Sequence, residues 1–452
     1  MSTSKVATTD IASHILSQIG KKFYLSKEFA DVYFVYMVND EEVDRDPAHK
    51  NLLAASSDVF HTMFNESWKE KNEVKIVDAA VADFKEFLRF FYFGTVNLTI
   101  ENVDKIMNLS NKYNVTECKN LCREFLKTIL TSENVLWAYD LAVFLEDENL
   151  KKFCEAIISI NARDLLKTQG FFQCNQNRLM ELMEIKSLKC SEAELLGACI
   201  SWVKNKSKEE NLTTEIIQSL IGDLFSKIRF GSMTLNEFVT LIPSYGELFP
   251  KEVLQDIIQM KADKEFQSKI FSGIREKRSD VEIYVGNKIY CNRENSGFNS
   301  GEYLIKDIET TTFSVSETVF LKNFECDNLL KWNGDYCDLE ELVPTEITIV
   351  EMQNLEHLPN NEEAVLYKGN TNLRGEQFAQ VSLPNPILIK VGFIYKIQLK
   401  QTPPADCILG TSLKSRVQID SDFIVQFHHD TFLEQDPYSA RGLIVSLDFY
   451  RI

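Results

Sequence analysis

The chain has 452 residues, 44% hydrophobic and 26% charged, which is too apolar for a disordered polymer and leaves room for roughly two to four folded domains. Lys and Arg number 49 against 67 Asp and Glu, so the formal charge is −18. That charge opposes binding to a phosphate backbone unless a basic stripe is set apart; the two candidates, Lys204–Lys208 and Arg275–Arg278, run into Glu209-Glu210 or contain Glu276 and read as solvated charge, so no nucleic-acid partner is expected.

Ile11, Ile15, Leu16 and Ile19 recur at helical spacing and predict a short amphipathic helix over Ile11–Phe23. A helix this short cannot bury its apolar face alone. It needs the following domain or another chain. Val32–Val38 is an unbroken run of β-branched and aromatic residues and predicts a buried strand. Asp40–Pro47 is acidic and ends in proline, which predicts a turn or loop. A helix is expected over His49–Phe64, a short strand over Val74–Val77, and a helix whose stripe is Phe84, Phe87, Leu88 and Phe91. Helices follow at 103–111 and 116–130, the second with Asn114 and Glu117 at the spacing of a cap and its reciprocal acid.

From Ser132 to about Asp263 the pattern is helical. Capping boxes are expected at Ser191/Glu194 and Thr234/Glu237. Lys261–Asp280 is charged and weakly apolar, as a linker or helix end would be. Beyond Val281 the period changes to two. Phe393, Tyr395, Ile397 and Leu399 alternate with polar residues, Ile347 and Ile349 do likewise, and Leu443, Val445, Leu447 and Phe449 share one strand face. Turn signals fall at Pro384–Pro386, Gly392 and Pro403-Pro404. Short strands between such signals predict an all-β sandwich.

No phosphate loop, nucleophile elbow or zinc-protease motif occurs. The ten cysteines form no Cys-x-x-Cys pair, and Cys118 and Cys122, at i and i+4, read as two thiols packed in a core. His428-His429 are adjacent in a strand and point to opposite faces, which suits no single metal ion. Residues 1–20 lack the apolar core of a signal peptide, and no stretch has the roughly 18 apolar residues of a membrane span. The expectation is a soluble protein of a reducing compartment, cytoplasmic with the nucleus as a second location, with no metal, cofactor, membrane contact or catalytic activity of its own.

Ala30-Asp31-Val32, then Ala48-His49-Lys50, then Ser57-Asp-Val-Phe60-His-Thr-Met63-Phe64 resemble the BTB (POZ) domain, and the likeness continues through Phe84–Gly94, Tyr113 and Cys122–Leu126. Asn134–Ala142, Glu194–Trp202 and Leu224–Phe238 resemble the BACK domain. Phe313–Val315, Pro386–Leu399 and Arg441–Tyr450 resemble the PHR domain that follows BTB and BACK in one branch of that family. The resemblance implies a multidomain chain: an N-terminal dimerisation helix (1–22), an α+β BTB domain (23–130), an all-α BACK domain (131–263), a linker (264–282) and an all-β PHR-like sandwich (283–452).

It also implies a function. BTB domains of this kind are typically homodimers and commonly bind the N-terminal region of cullin-3, so the chain is expected to be a substrate-recognition adaptor of a cullin-3 RING ubiquitin ligase, with the PHR-like domain holding a protein substrate. Such an adaptor works by raising local concentration. The alternative is a dimeric BTB scaffold or transcriptional co-regulator without ligase function. Trp68-Lys69-Glu70 fits the hydrophobic-x-Glu triplet with which cullin-binding BTB domains precede the strand expected at Val74–Val77. Ile11, Ile15, Leu16 and Ile19 fit the dimer helix, and Asp31 and Lys50 match positions near the dimer interface.

Overall fold

The structure is a computed structural model that describes residues 18–65, 72–206, 224–271, 273–280, 283, 286–294, 303–304, 307–327, 330–331, 343–353, 363–373, 379–401, 407–409, 413–428 and 443–451. It divides into two compact units, residues 1–130 with 138–150, and residues 131–137 with 151–452.

The first unit is built on a three-stranded sheet, β1 (Val32–Val38), β2 (Glu41–Ala48) and β3 (Glu73–Ile76), in the order β2-β1-β3. β1 pairs antiparallel with β2 and parallel with β3. β2 lies where a loop was expected. Its acidic side chains are satisfied without a hydrophobic pattern: Arg45 bonds Glu42 and Glu73 at 2.9 and 2.6 Å, Lys85 bonds Asp44 at 2.8 Å, and the Tyr36 hydroxyl donates to Asp46 at 2.7 Å. Pro47 is accommodated because β2 is an edge strand, where a missing N–H is tolerated.

The helical run expected at 49–64 is two helices, α1 (Lys50–Ala55) and α2 (Asp58–Phe64). The break comes at Ser57, whose hydroxyl accepts from the Phe60 amide and so caps α2. α3 (Val81–Phe93) buries Phe84, Phe87 and Leu88 and stops at Gly94, whose φ of 66° suits a residue without a Cβ. α4 (Val103–Lys112) and α5 (Thr116–Ile129) follow. Asn114 does not cap α5, whose N-cap is Val115 and carries no side-chain bond. Asn114 instead adopts φ 51° and ends α4, a left-handed position that asparagine tolerates better than most residues. The core of the unit is aromatic. The Phe60 ring stacks on Tyr113 at 4.5 Å, and Phe34 meets Phe84 at 4.9 Å.

A helical region follows: α6 (Val135–Phe144), α7 (Glu148–Ile160), α8 (Ala162–Leu165), α9 (Gln169–Gln173), α10 (Gln176–Glu184), α11 (Glu192–Lys206), α12 (Leu235–Val239), α13 (Ile242–Tyr245) and α14 (Lys251–Ala262). Both expected capping boxes are present. Ser191 and Glu194 exchange bonds of 2.7 and 3.2 Å ahead of α11, and Thr234 and Glu237 exchange bonds of 2.6 and 3.1 Å at α12.

The C-terminal region is all β. One antiparallel sheet runs β10 (Glu363–Leu373), β9 (Val343–Gln353), β12 (Phe393–Gln401), β6 (Ile308–Val315), β15 (Ile424–His428), β14 (Arg416–Gln418). A second runs β11 (Ala379–Ile389), β7 (Val319–Cys326), β16 (Ile444–Arg451), β4 (Asn287–Asn292), and β5 (Tyr303–Leu304), β13 (Cys407–Leu409) and β8 (Leu330–Lys331) form a small third. The first two share one core, to which β12 gives Tyr395, Ile397 and Leu399 and β16 gives Leu447 and Phe449. Two expectations are corrected here. Pro384 and Pro386 mark no turn but an irregularity inside the edge strand β11, between Ser382 and Ile387. In β16 a register shift between Ile444 and Ser446 turns Val445 off the face of Leu447 and Phe449, and Val445 packs on Leu413 instead.

Candidate docking surfaces

Residues 18–23 are helical and lie against the end of α3. The contact is close because residue 20 is glycine: a Cβ there would overlap the Tyr92 carbonyl oxygen and touch the Phe93 ring. Tyr24 follows, its hydroxyl donating to the Lys85 carbonyl at 2.7 Å and its ring edge-on to Tyr92 and Phe93. Ile19 remains 46% exposed, the one member of the expected dimer stripe within the described residues; Ile11, Ile15 and Leu16 lie outside them.

His49 anchors the same segment from below. Its Nε2 meets the Glu28 carbonyl at 2.8 Å and its Nδ1 meets the Tyr92 hydroxyl at 2.9 Å. A carbonyl can only accept, so Nε2 carries a proton and donates to Glu28. His49 is 8% exposed, and the sequence reading gave it no role of its own.

Asp31 and Lys50 come together, but through the backbone: Asp31 Oδ1 accepts from the Lys50 amide at 2.8 Å, serving the first turn of α1 in place of the absent His49 side-chain cap. The Lys50 ammonium bonds the Asn72 side chain at 3.4 Å and lies 5.8 Å from the Phe64 ring. Phe64 and Asn72 flank residues 66–71, so Lys50 touches both sides of the segment that contains Trp68, Lys69 and Glu70. Those three residues lie outside the described part of the structure.

In the helical region the stretch 275–278, expected to be solvated, is built into the fold. Arg278 is 2% exposed. Its Nε donates to Glu192 at 2.7 Å, and its terminal nitrogens donate to the carbonyls of Met183, Ile185 and Lys227 at 2.6–3.0 Å. The second Glu192 oxygen accepts from the Arg229 amide at 2.9 Å. Phe230 beside it is fully buried among Phe225, Phe238, Phe249 and Phe271. Glu192 and Arg278 lie 86 residues apart, and no local pattern signalled the pair.

Cys118, Cys122, Cys154, Cys190, Cys199, Cys291 and Cys326 are buried and Cys174 is half-buried. Among the described residues no group of three metal-ligating side chains comes together, and no helix is long and apolar enough to cross a membrane. His428 is exposed and its Nε2 lies 2.8 Å from the Ser314 hydroxyl; His429 is outside the described residues.

Two stretches of the chain match the models of known domain families. Residues 21–130 match the family model of the BTB/POZ domain, and residues 135–243 match that of BACK, "BTB And C-terminal Kelch". The chain is 27% identical to human BTB/POZ domain-containing protein 9 over 256 residues, 55% of this chain and 39% of that protein. It is 25% identical to mouse BTB/POZ domain-containing protein 3 over 304 residues, 65% of this chain and 55% of that protein. Among solved structures, the BTB domain of human Gigaxonin aligns with 24% identity and a TM-score of 0.22, covering 26% of this chain and 91% of that one. The chain therefore carries a BTB/POZ domain followed by a BACK domain and is homologous to BTB/POZ domain-containing proteins. It spans between two fifths and just over half of the length of these relatives.

Proposed function

We propose that this chain is a substrate-recognition adaptor of a cullin-3 RING ubiquitin ligase, without catalytic activity of its own. The observation that carries the reading is the order of parts: a BTB/POZ domain at 21–130, a BACK domain at 135–243, and then a two-sheet β region with its own core. In this reading the BTB domain dimerises through the N-terminal helix, with Ile11, Ile15, Leu16 and Ile19 on its apolar side and Asp31 and Lys50 near the interface. Trp68, Lys69 and Glu70 contact cullin-3, Trp68 as the apolar anchor and Glu70 as the acid beside it. The β region at 283–452, PHR-like in its motifs, receives the protein substrate. Bringing a substrate lysine close to a ubiquitin-charged enzyme is then the whole of the chain's contribution.

The test is co-purification. Trp68→Asp or Glu70→Lys in the full chain is expected to abolish cullin-3 capture and leave the dimer intact. Full retention by both variants removes the triplet as the contact. Failure of the parent protein to bind cullin-3 at micromolar concentration favours a dimeric scaffold or transcriptional co-regulator instead.

A further inference from the structure

The two large sheets end in four edge strands, and three of them are blunt. β11 carries Pro384 and Pro386, β14 is three residues long and β4 six. β10 differs: it runs for eleven residues without a proline and, among the described strands, pairs with β9 alone. Two observations give the phase of its free side. Pro344 on β9 stands opposite Asn372 and has no N–H, so the two cannot exchange hydrogen bonds, and Asn372 turns its own N–H and C=O away from β9. Gln401, opposite Thr345 on the other side of β9, donates its amide away from β9 to Asp307, which gives the same alternation. Asn372, Asn370 and Lys368 therefore present their N–H and C=O groups at the edge, with a repeat of about 6.8 Å. All three residues are exposed, and these backbone groups have no partner among the described residues. On the inner face the Tyr367 ring covers Gly369, where a Cβ would overlap it. On the outer face Lys368 pairs with Glu346 at 2.5 Å, and Asn370 and Asn372 are neutral. Beside the bulge between Val365 and Tyr367, Val365 is 62% exposed and Leu366 38%.

Alternating N–H and C=O groups at this repeat match one chemistry, the main chain of an extended polypeptide, and a long edge without proline is open to strand addition. We propose that β10 is where a partner protein docks, adding an extended segment of roughly five or six residues to the six-stranded sheet. The pleat sets what that segment carries. Its residues opposite Tyr367, Gly369 and Thr371 turn to the inner face and are apolar or β-branched, and those opposite Lys368, Asn370 and Asn372 turn outward and are neutral and polar. Val365 and Leu366 receive an apolar side chain at the end of the segment. A second copy of β10 lacks this match. Twofold exchange of all three outward pairs centres on Asn370, which sets Val365 and Leu366 past the end of the second strand and leaves them uncovered. The proposal rests on the reading of the β region as the recruiting module and assigns that module's contact.

The test is selection of displayed random dodecapeptides on the immobilised full chain, with the enriched peptides then titrated against two variants. Asn370→Pro removes an outward N–H that the fold itself does not use, so its thermal midpoint is expected to stay near the parent's. Asn370→Ala keeps that N–H and loses only the side chain. Enriched peptides are expected to alternate apolar or β-branched residues with polar ones, to bind Asn370→Ala within roughly threefold of the parent, and to bind Asn370→Pro roughly tenfold or more weakly. Should Asn370→Pro fold poorly, a single N-methyl group walked along the peptide gives a second measurement on the parent protein, with binding lost at alternate residues only. Equal binding to the parent and Asn370→Pro, equal loss in both variants, a uniform response to methylation, or no enrichment overturns the site. A parent that sediments as a larger assembly, reduced by Asn370→Pro, assigns the edge to a second copy and overturns the partner. The broader reading fails on a separate result, cross-links from a captured partner that all fall outside residues 283–452.

Discussion

Arg278 and Glu192 form a buried ion pair at 2.7 Å, their side chains 2% and 4% exposed. Three backbone carbonyls and one backbone amide complete the hydrogen bonding around it. Two charges taken out of water are tolerable only with such completion. The pair joins the start of α11 to residues beyond α14, and so ties the end of the helical region back onto its middle.

Arg278→Ala strands the Glu192 carboxylate and is expected to destabilise by about 3–5 kcal/mol. The double variant Glu192→Gln/Arg278→Met removes both charges and is expected to recover much of that loss. Urea denaturation of the full chain, followed by near-ultraviolet signals, measures both.

Gly20→Ala places a methyl group against the Tyr92 carbonyl and the Phe93 ring. Overpacking of this kind costs about 1–3 kcal/mol. The expected outcome is release of residues 18–24 from α3, seen as faster proteolysis there. Under the proposed dimer arrangement, weaker self-association in sedimentation accompanies it.

Asp31→Asn separates two roles. Asparagine can still accept from the Lys50 amide, so the thermal midpoint is expected to hold, whereas Asp31→Ala lowers stability by about 1 kcal/mol. Loss of the charge in Asp31→Asn is expected to weaken the dimer alone. Equal dimer constants for parent and Asp31→Asn assign this residue to the local cap only.

Asp147 supplies a pH dependence. Burial raises its carboxyl, but Arg123 at 2.7 Å, the Leu150 amide at 3.0 Å and Lys119 outweigh burial and hold it below the usual carboxylate range. A folded-state value below the unfolded one gives stability that is full above the unfolded value and is withdrawn as pH falls through the folded one. The thermal midpoint of the first unit is expected to drop as pH falls below about 4, less steeply in Asp147→Asn.

Elements carrying their own hydrophobic pattern were legible in the sequence. β1 is an uninterrupted apolar run, α3 a four-residue stripe, and β12 a strict alternation. β2 was not legible, because an edge strand can be held by backbone pairing while Asp44, Arg45 and Asp46 answer charges on other elements. Asn114 had the spacing of a cap and serves instead as a terminator, a difference of backbone angle that spacing does not encode. The bulge at Val445 is invisible to a rule of alternation. Asp31 and Lys50 were placed together through their likeness to BTB domains, but their bond runs through the Lys50 amide rather than its ammonium. Arg278 could not be singled out, because in a run of charged residues it looked like a surface charge.

β16 lies between β7 and β4, both of which precede it by more than a hundred residues. It is the last of the described strands to emerge from the ribosome, and yet it fills an interior place. Until then, the earlier strands of that sheet have no middle partner and expose the apolar side chains that Leu447 and Phe449 will cover. A premature stop before residue 444 therefore removes the keystone rather than a fringe, and nascent chains paused there are natural clients for chaperones.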